Sequence, residues 1–181
     1  MAIYCTRFKS EHLGLAFNFK VNPNSCDNPE HYEHYLMFNA LTDRRIGKGV
    51  THVLLEENDQ SGEKAIIGFV TLRASSLISE YEDNIDGRSA IEITEIAISK
   101  EYERQGFGTY LLSSAIMIID EMRRDYLGVE YVVACADTAS IPFYEKSNFI
   151  PISKYHEIPR EGWNKNCIPM VMKLKDIDEG K

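Results

Sequence analysis

The amino-acid sequence predicts an α/β fold: a mixed, largely antiparallel sheet with a parallel pair near its middle, flanked by helices on both faces. Two strand-like segments, 51–57 and 65–74, are separated by Asn58-Asp59-Gln60-Ser61-Gly62, the composition of a hairpin loop. The second half alternates strand-like and helix-like patterns, which requires a parallel crossover. The length, 181 residues, suits a single domain with a real core spanning 1–181.

Each element has its own signal. Residues 2–8 alternate enough to form a first or edge strand. The stretch 10–28 is irregular, with a turn at Asn22-Pro23-Asn24-Ser25. From 29 to about 46, Tyr32, Tyr35, Leu36, Phe38, Ala40 and Leu41 suggest an amphipathic helix, which Gly47 and Gly49 end. Residues 77–89 are acidic and turn-prone, closing near Asp86-Gly87, and read as a loop long enough to be functional. Ile91, Ile93, Ile96 and Ile98 mark a strand whose alternation slips near Thr94-Glu95, the pattern of a β-bulge. A long helix over 106–126 follows, carrying Leu111, Leu112, Ala115, Ile116, Ile119 and Met122. Residues 129–136 form an apolar strand suited to a central position, and 140–146 a short helix. Phe149-Ile150 begins another strand, and 167–174 supplies the last.

Composition narrows the function classes. Hydrophobic residues make up 44% and charged residues 27%, as in an ordinary soluble globular protein. No apolar run approaches the roughly 20 residues that span a bilayer. The N-terminal Met1-Ala2-Ile3-Tyr4-Cys5-Thr6-Arg7 lacks the layout of a secretory signal, so a cytoplasmic location without membrane partners is expected. The formal net charge of −8 runs against a broad nucleic-acid-binding face. Arg44, Arg45 and Lys48 do lie close together, but cations at a helix end complement the negative pole of its dipole. Cys5, Cys26, Cys135 and Cys167 are scattered without a CxxC pair. They are expected to be free thiols, Cys135 in a core strand, and no metal site is expected.

The most informative stretch runs from Ile96, Ala97 and Ile98 through Ser99-Lys100-Glu101-Tyr102-Glu103 to Arg104-Gln105-Gly106-Phe107-Gly108-Thr109. A strand ends, a glycine-bearing turn follows and a long helix opens. Helix N-termini carry unpaired N–H groups and partial positive charge, a setting suited to a pyrophosphate. Gly106 and Gly108 remove side chains that would hold those amides away from phosphate. Thr109 adds a hydroxyl, and Arg104 or Gln105 can approach from the side. On spacing alone, a strand-to-helix turn with two packing glycines fits equally well.

With the apolar strand and Phe143-Tyr144-Glu145-Lys146-Ser147-Asn148-Phe149 that follow, the pattern resembles the GNAT superfamily of N-acetyltransferases. That family has an [Arg/Gln]-x-x-Gly-x-[Gly/Ala] loop around the CoA pyrophosphate and a Phe-Tyr-x-x-x-Gly-Phe segment near the thioester. Here Glu103 stands at the Arg/Gln position and Asn148 at the glycine. Asn tolerates left-handed backbone angles. Glu103 is repelled by phosphates, so it is expected to turn aside and leave the backbone amides and Arg104 to bind. The resemblance spans roughly 50–175, with the acyl-CoA-binding core at about 90–150.

The resemblance implies transfer of an acetyl group from acetyl-CoA to a primary amine by direct attack of the neutral amine on the thioester. Ile96, Ala97 and Ile98 would pair with the pantetheine arm as an added strand does, and a main-chain N–H near Ile98 would face the oxyanion. Phe143 would line the thioester. Glu92 and Glu95 are the possible bases on the strand, and each also reads as a solvent-facing carboxylate. Tyr144 would sit beside the CoA sulfur. Full transfer from a phenol of pKa ~10 to a thiolate near ~8.5 is uphill by about 2 kcal/mol, so a hydrogen bond to the developing charge matters more.

The first half, with Cys26-Asp27-Asn28, Gly47-Lys48-Gly49-Val50-Thr51-His52-Val53, Gly68-Phe69-Val70-Thr71-Leu72 and the later Pro169-Met170, resembles the GNAT toxins of toxin–antitoxin pairs. Those enzymes acetylate the amino acid on charged tRNA, a partner that the net charge disfavours. The acceptor therefore stays open among a small-molecule, peptide or protein amine and a charged tRNA. A non-catalytic acyl-CoA-binding or interaction domain, and a homodimer, stay open as well.

Overall fold

The computed structural model describes residues 1–26, 28–81, 84–152 and 167–176, with only the backbone for 79–81 and 84–86. Strand β1 (Ala2–Arg7) pairs antiparallel with β2 (Val50–Glu57), from Ala2 opposite Glu57 to Arg7 opposite His52. Between them lie a short 3-10 turn (Ser10–His12) running into α1 (Leu13–Ala16), then α2 (Pro29–His34) and α3 (Ala40–Arg45). Strands β3 (Lys64–Tyr81) and β4 (Asn84–Ile98) follow, then α4 (Phe107–Asp125), β5 (Tyr131–Ala136), α5 (Ile141–Glu145), β6 (Ile150–Pro151) and β7 (Ile168–Lys173). Among the described residues the sheet has seven strands, in the order β1-β2-β3-β4-β5-β7-β6. It is mostly antiparallel, and β4 and β5, joined by the crossover helix α4, make the parallel pair.

The chain divides into two compact units, Met1–Arg73 with Ile93–Ala115, and Ala74–Glu92 with Ile116–Lys181. In the first unit, Phe8, Phe19, Leu36, Val53, Leu55 and Phe69 form the centre of a buried cluster. Phe69 on β3 is its hub: the Phe19 ring meets it edge-on at 5.4 Å and the Tyr35 ring stacks on it at 6.1 Å. Gly68 beside it is fixed by space. A Cβ there would lie 2.5 Å from Ile98 Cδ1 and 2.7 Å from the Ala97 carbonyl oxygen. The β2–β3 register shifts at the same place, with Leu54 opposite Gly68 but Leu55 opposite Ile66. The intervening Ile67 gives its carbonyl to the Ser99 amide at 2.7 Å, which anchors the end of β4. In the second unit, Val132, Ala134 and Ala136 of β5 are buried with Ile119, Phe149 and Met170.

Four expectations are corrected. The helix expected over 29–46 has a π-helical segment, Tyr35–Asn39, between α2 and α3. The irregular stretch 10–28 contains the turn and α1, and the Asn22 turn forms as expected, with the Ser25 amide on the Asn22 carbonyl at 3.0 Å. The acidic loop expected over 77–89 is largely strand, since β3 continues to Tyr81 and β4 begins at Asn84. Cross-strand pairing overrides the weak strand propensity of Ser, Glu, Asp and Asn there; residues 82 and 83 lie outside the described ones. Cys135 and Cys167 form a disulfide rather than free thiols, while Cys5 remains a free thiol. Antiparallel pairing of β5 with β7 sets Cys135 opposite Pro169 and so brings Cys167 within reach, with a Cα separation of 5.5 Å.

Candidate active site

The end of β4 leads through a tight turn into the opening of α4. A 3-10 turn, Lys100–Tyr102, leaves the strand. The Tyr102 hydroxyl donates to Glu56 on β2 at 2.7 Å, and burial together with that bond pushes its pKa up to about 12. The Tyr102 ring also meets Phe107 edge-on at 5.9 Å, tying the turn to the first residue of α4.

Within this frame Arg104 and Gly106 both have left-handed backbone, φ 59° and 87°. That conformation is uncommon for arginine and easy for glycine. Turns containing left-handed residues can gather successive amides into an anion-binding concavity. The first helical bond is from the Tyr110 amide to the Gly106 carbonyl, 3.1 Å. The amides of Phe107, Gly108 and Thr109 precede it and have no acceptor within the helix. Arg104, Gln105, Gly106 and Thr109 are exposed, while Phe107 and Gly108 are half-buried. Gln105 donates to the Glu101 carbonyl at 3.0 Å, so its amide braces the turn. The out-of-pattern Glu103 accepts from the Asn22 side chain at 2.9 Å.

The same unit brings Glu95, Ile96, Ala97 and Ile98 into the last stretch of β4, Ala97 buried and the others half-buried. Glu95 meets a residue that sequence reasoning missed. His31 Nε2 lies 3.1 Å from both Glu95 carboxylate oxygens. The hydrogen bond to Glu95 raises the histidine pKa more than burial lowers it. Asn28 caps α2 by accepting from the His31 amide at 3.2 Å, with Pro29 as the first helical residue. One turn further on, Tyr35 donates to Asp43 at 3.3 Å, and burial raises its pKa. Below it the Thr51 and Thr71 hydroxyls bond each other at 2.8 Å. An Asn-Pro pair opening a helix with His31, Tyr32 and Tyr35 in its first two turns was the available signal.

The second unit holds the remaining residues. Glu92 is 6% exposed and belongs to the buried run Ala90, Ile91, Glu92, Ile93. Tyr144 on α5 is 4% exposed, with the Phe143 and Phe149 rings packed edge-on against it at 5.1 and 5.3 Å. Asn148 takes φ 65°, the left-handed turn for which glycine is the usual residue. No group of three or more metal-ligating side chains occurs among the described residues. Nor is any helix there long and apolar enough to cross a membrane.

A strand delivered into a left-handed turn at the start of a long helix, on a seven-stranded sheet with one parallel pair, is the framework of an acyl-CoA transferase. Residues 19–149 match the model of the acetyltransferase (GNAT) family, and the chain belongs to that family of acetyl-CoA-dependent N-acetyltransferases. None of the curated proteins matches it. Among solved structures, a bacterial toxin superposes with a TM-score of 0.73 at 17% identity, covering 95% of this chain and 90% of its own. AtaT complexed with acetyl-methionyl-tRNAfMet gives 0.72 at 14% identity, covering 95% of each chain. A mutant of KacT gives 0.73 at 11%, covering 96% and 95%.

Proposed function

We propose that this chain moves the acetyl group of acetyl-CoA to a primary amine by direct attack, holding the pyrophosphate on the turn from Arg104 to Thr109. The observation that carries the reading is the paired left-handed backbone at Arg104 and Gly106 at the mouth of a 19-residue helix. That geometry lets the amides of Phe107, Gly108 and Thr109 and the exposed Arg104 meet phosphate oxygens. The thioester supplies an activated acetyl group. The last stretch of β4, Glu95 to Ile98, aligns the pantetheine arm, and a main-chain amide near Ile98 stabilises the developing oxyanion. The hydroxyl of Tyr144, whose ring packs between Phe143 and Phe149, bonds the departing sulfur. The cluster around Glu95 faces the amine's proton.

A second reading concerns the acceptor. One solved structure that covers 95% of this chain is a bacterial toxin, and AtaT, itself described as a toxin, is seen with acetyl-methionyl-tRNAfMet. The likeness runs through the first half, where the His31 cluster stands. It favours the α-amino group of a charged tRNA as the acceptor. Arg44 and Arg45, exposed in the last turn of α3 with Lys48 just beyond, offer a local basic patch despite the net charge of −8.

Calorimetry with acetyl-CoA, followed by assay of CoA release with methionyl-tRNA and with a panel of small amines, tests both readings. Micromolar binding and an N-acetylated acceptor are expected; no binding at millimolar acetyl-CoA would overturn the first reading. Transfer to small amines but not to charged tRNA would overturn the second alone. Tyr144→Phe is expected to lower turnover by roughly 10- to 100-fold with acetyl-CoA affinity unchanged. Equal turnover would leave Tyr144 a packing residue.

A further inference from the structure

The structure assigns the proton-accepting role to the imidazole of His31, with Glu95 as the carboxylate that positions it. This inference rests on the acetyl-transfer reading and concerns how the amine is made nucleophilic. A carboxylate only accepts hydrogen bonds, so the nitrogen between the two Glu95 oxygens, Nε2, carries the hydrogen when the ring is neutral. Nδ1 is then the lone-pair nitrogen. The geometry has the logic of a base oriented by a carboxylate: one ring nitrogen is pinned and the other is presented.

The surroundings fit this division of labour. The Glu95 side chain is 15% exposed and that of His31 is 49% exposed, so the positioning group is covered and the proton acceptor is reachable. The Tyr32 ring holds the imidazole edge-on at 5.4 Å and the Tyr35 ring lies at 6.4 Å. Capping by Asn28 fixes where His31 enters the helix. The titratable groups facing this cluster are Glu95 from β4 and Tyr32 and Tyr35 from the helical run. Asp43 from α3 reaches it through Tyr35. The hydrogen bond to Glu95 raises the histidine pKa above its ordinary value, which strengthens the ring as a proton acceptor.

The step balances as follows. The acceptor ammonium gives one proton to His31 Nδ1, and the neutral nitrogen attacks the thioester carbonyl carbon. The C–N bond forms, the C–S bond breaks, and the second nitrogen proton leaves with the thiolate as the CoA thiol. The imidazolium returns its proton to water. Glu95 takes up no proton.

The test is the pH dependence of kcat/KM for wild type, His31→Gln and Glu95→Gln, with acetyl-CoA and methionyl-tRNA as probes. Acetyl-CoA affinity is followed in parallel by calorimetry. His31→Gln is expected to reduce kcat/KM about 100-fold at neutral pH, to recover as pH rises and the amine loses its proton unaided, and to leave acetyl-CoA affinity unchanged. Glu95→Gln is expected to lower kcat/KM by less than His31→Gln does and to move the acidic limb to lower pH, because it removes the charge that raises the histidine pKa. A His31→Gln loss that is the same at every pH, or no loss at all, would overturn the assignment. An inactive wild type would instead strike the acceptor or the acetyl-transfer reading, and the acetyl-CoA titration tells those two apart.

Discussion

At the residue scale, the site turns on backbone angles that one side chain tolerates poorly. Arg104 sits at φ 59°, which for a non-glycine residue costs about 1 kcal/mol. The cost is understandable if the guanidinium is needed where it is. Arg104→Gly should therefore leave the melting temperature unchanged or slightly higher while weakening acetyl-CoA roughly 10-fold or more, the value of a charge-assisted bond. Unchanged affinity by calorimetry would remove the guanidinium from the site. Some of this was legible beforehand: the glycine turn, the tolerance of Asn148 for a left-handed turn and the diversion of Glu103 all follow from side-chain chemistry. His31 was not legible, because its partner lies 64 residues away. Glu95 in isolation reads equally well as a base and as a surface carboxylate.

At the scale of elements, the periodic parts of the chain were readable and the pairing-dependent parts were not. The spacing of Leu111, Leu112, Ala115 and Ile119 gave α4 directly, and all four are buried. The outer half of the β3–β4 hairpin is polar, so its strands exist through hydrogen bonding to each other rather than through a local pattern. The π segment depends likewise on packing that no spacing rule encodes; such segments are frequent at functional sites. Gly68 shows the reverse dependence, where an element tolerates no added atom. Gly68→Ala should lower stability by about 1–3 kcal/mol, because the Ala97 carbonyl it meets is backbone and cannot swing away. Thermal denaturation checks this, and a melting temperature equal to wild type would mean β4 can slide.

At the scale of the whole molecule, the parallel pair was legible from the single crossover helix, since a strand–helix–strand run must return in the same direction. The disulfide was not, because cysteines 32 residues apart carry no spacing signature. We propose that residues 1–181 fold as one domain despite the two compact units. One cooperative unfolding transition is expected, shifted to lower temperature under reductant by loss of a cross-link worth about 2–4 kcal/mol. Two resolved transitions in calorimetry would contradict the single domain, and a reductant-insensitive midpoint would contradict the contribution of the bond.

The Cys135–Cys167 bridge also has a topological meaning. It closes a ring of chain that contains α5, Tyr144 and β6. A protease that cuts once anywhere inside that ring would leave two fragments still joined, migrating as one species until a thiol is added. The aromatic cluster around Tyr144 would then survive a nick as a covalently held insert, and reduction rather than cleavage would release it.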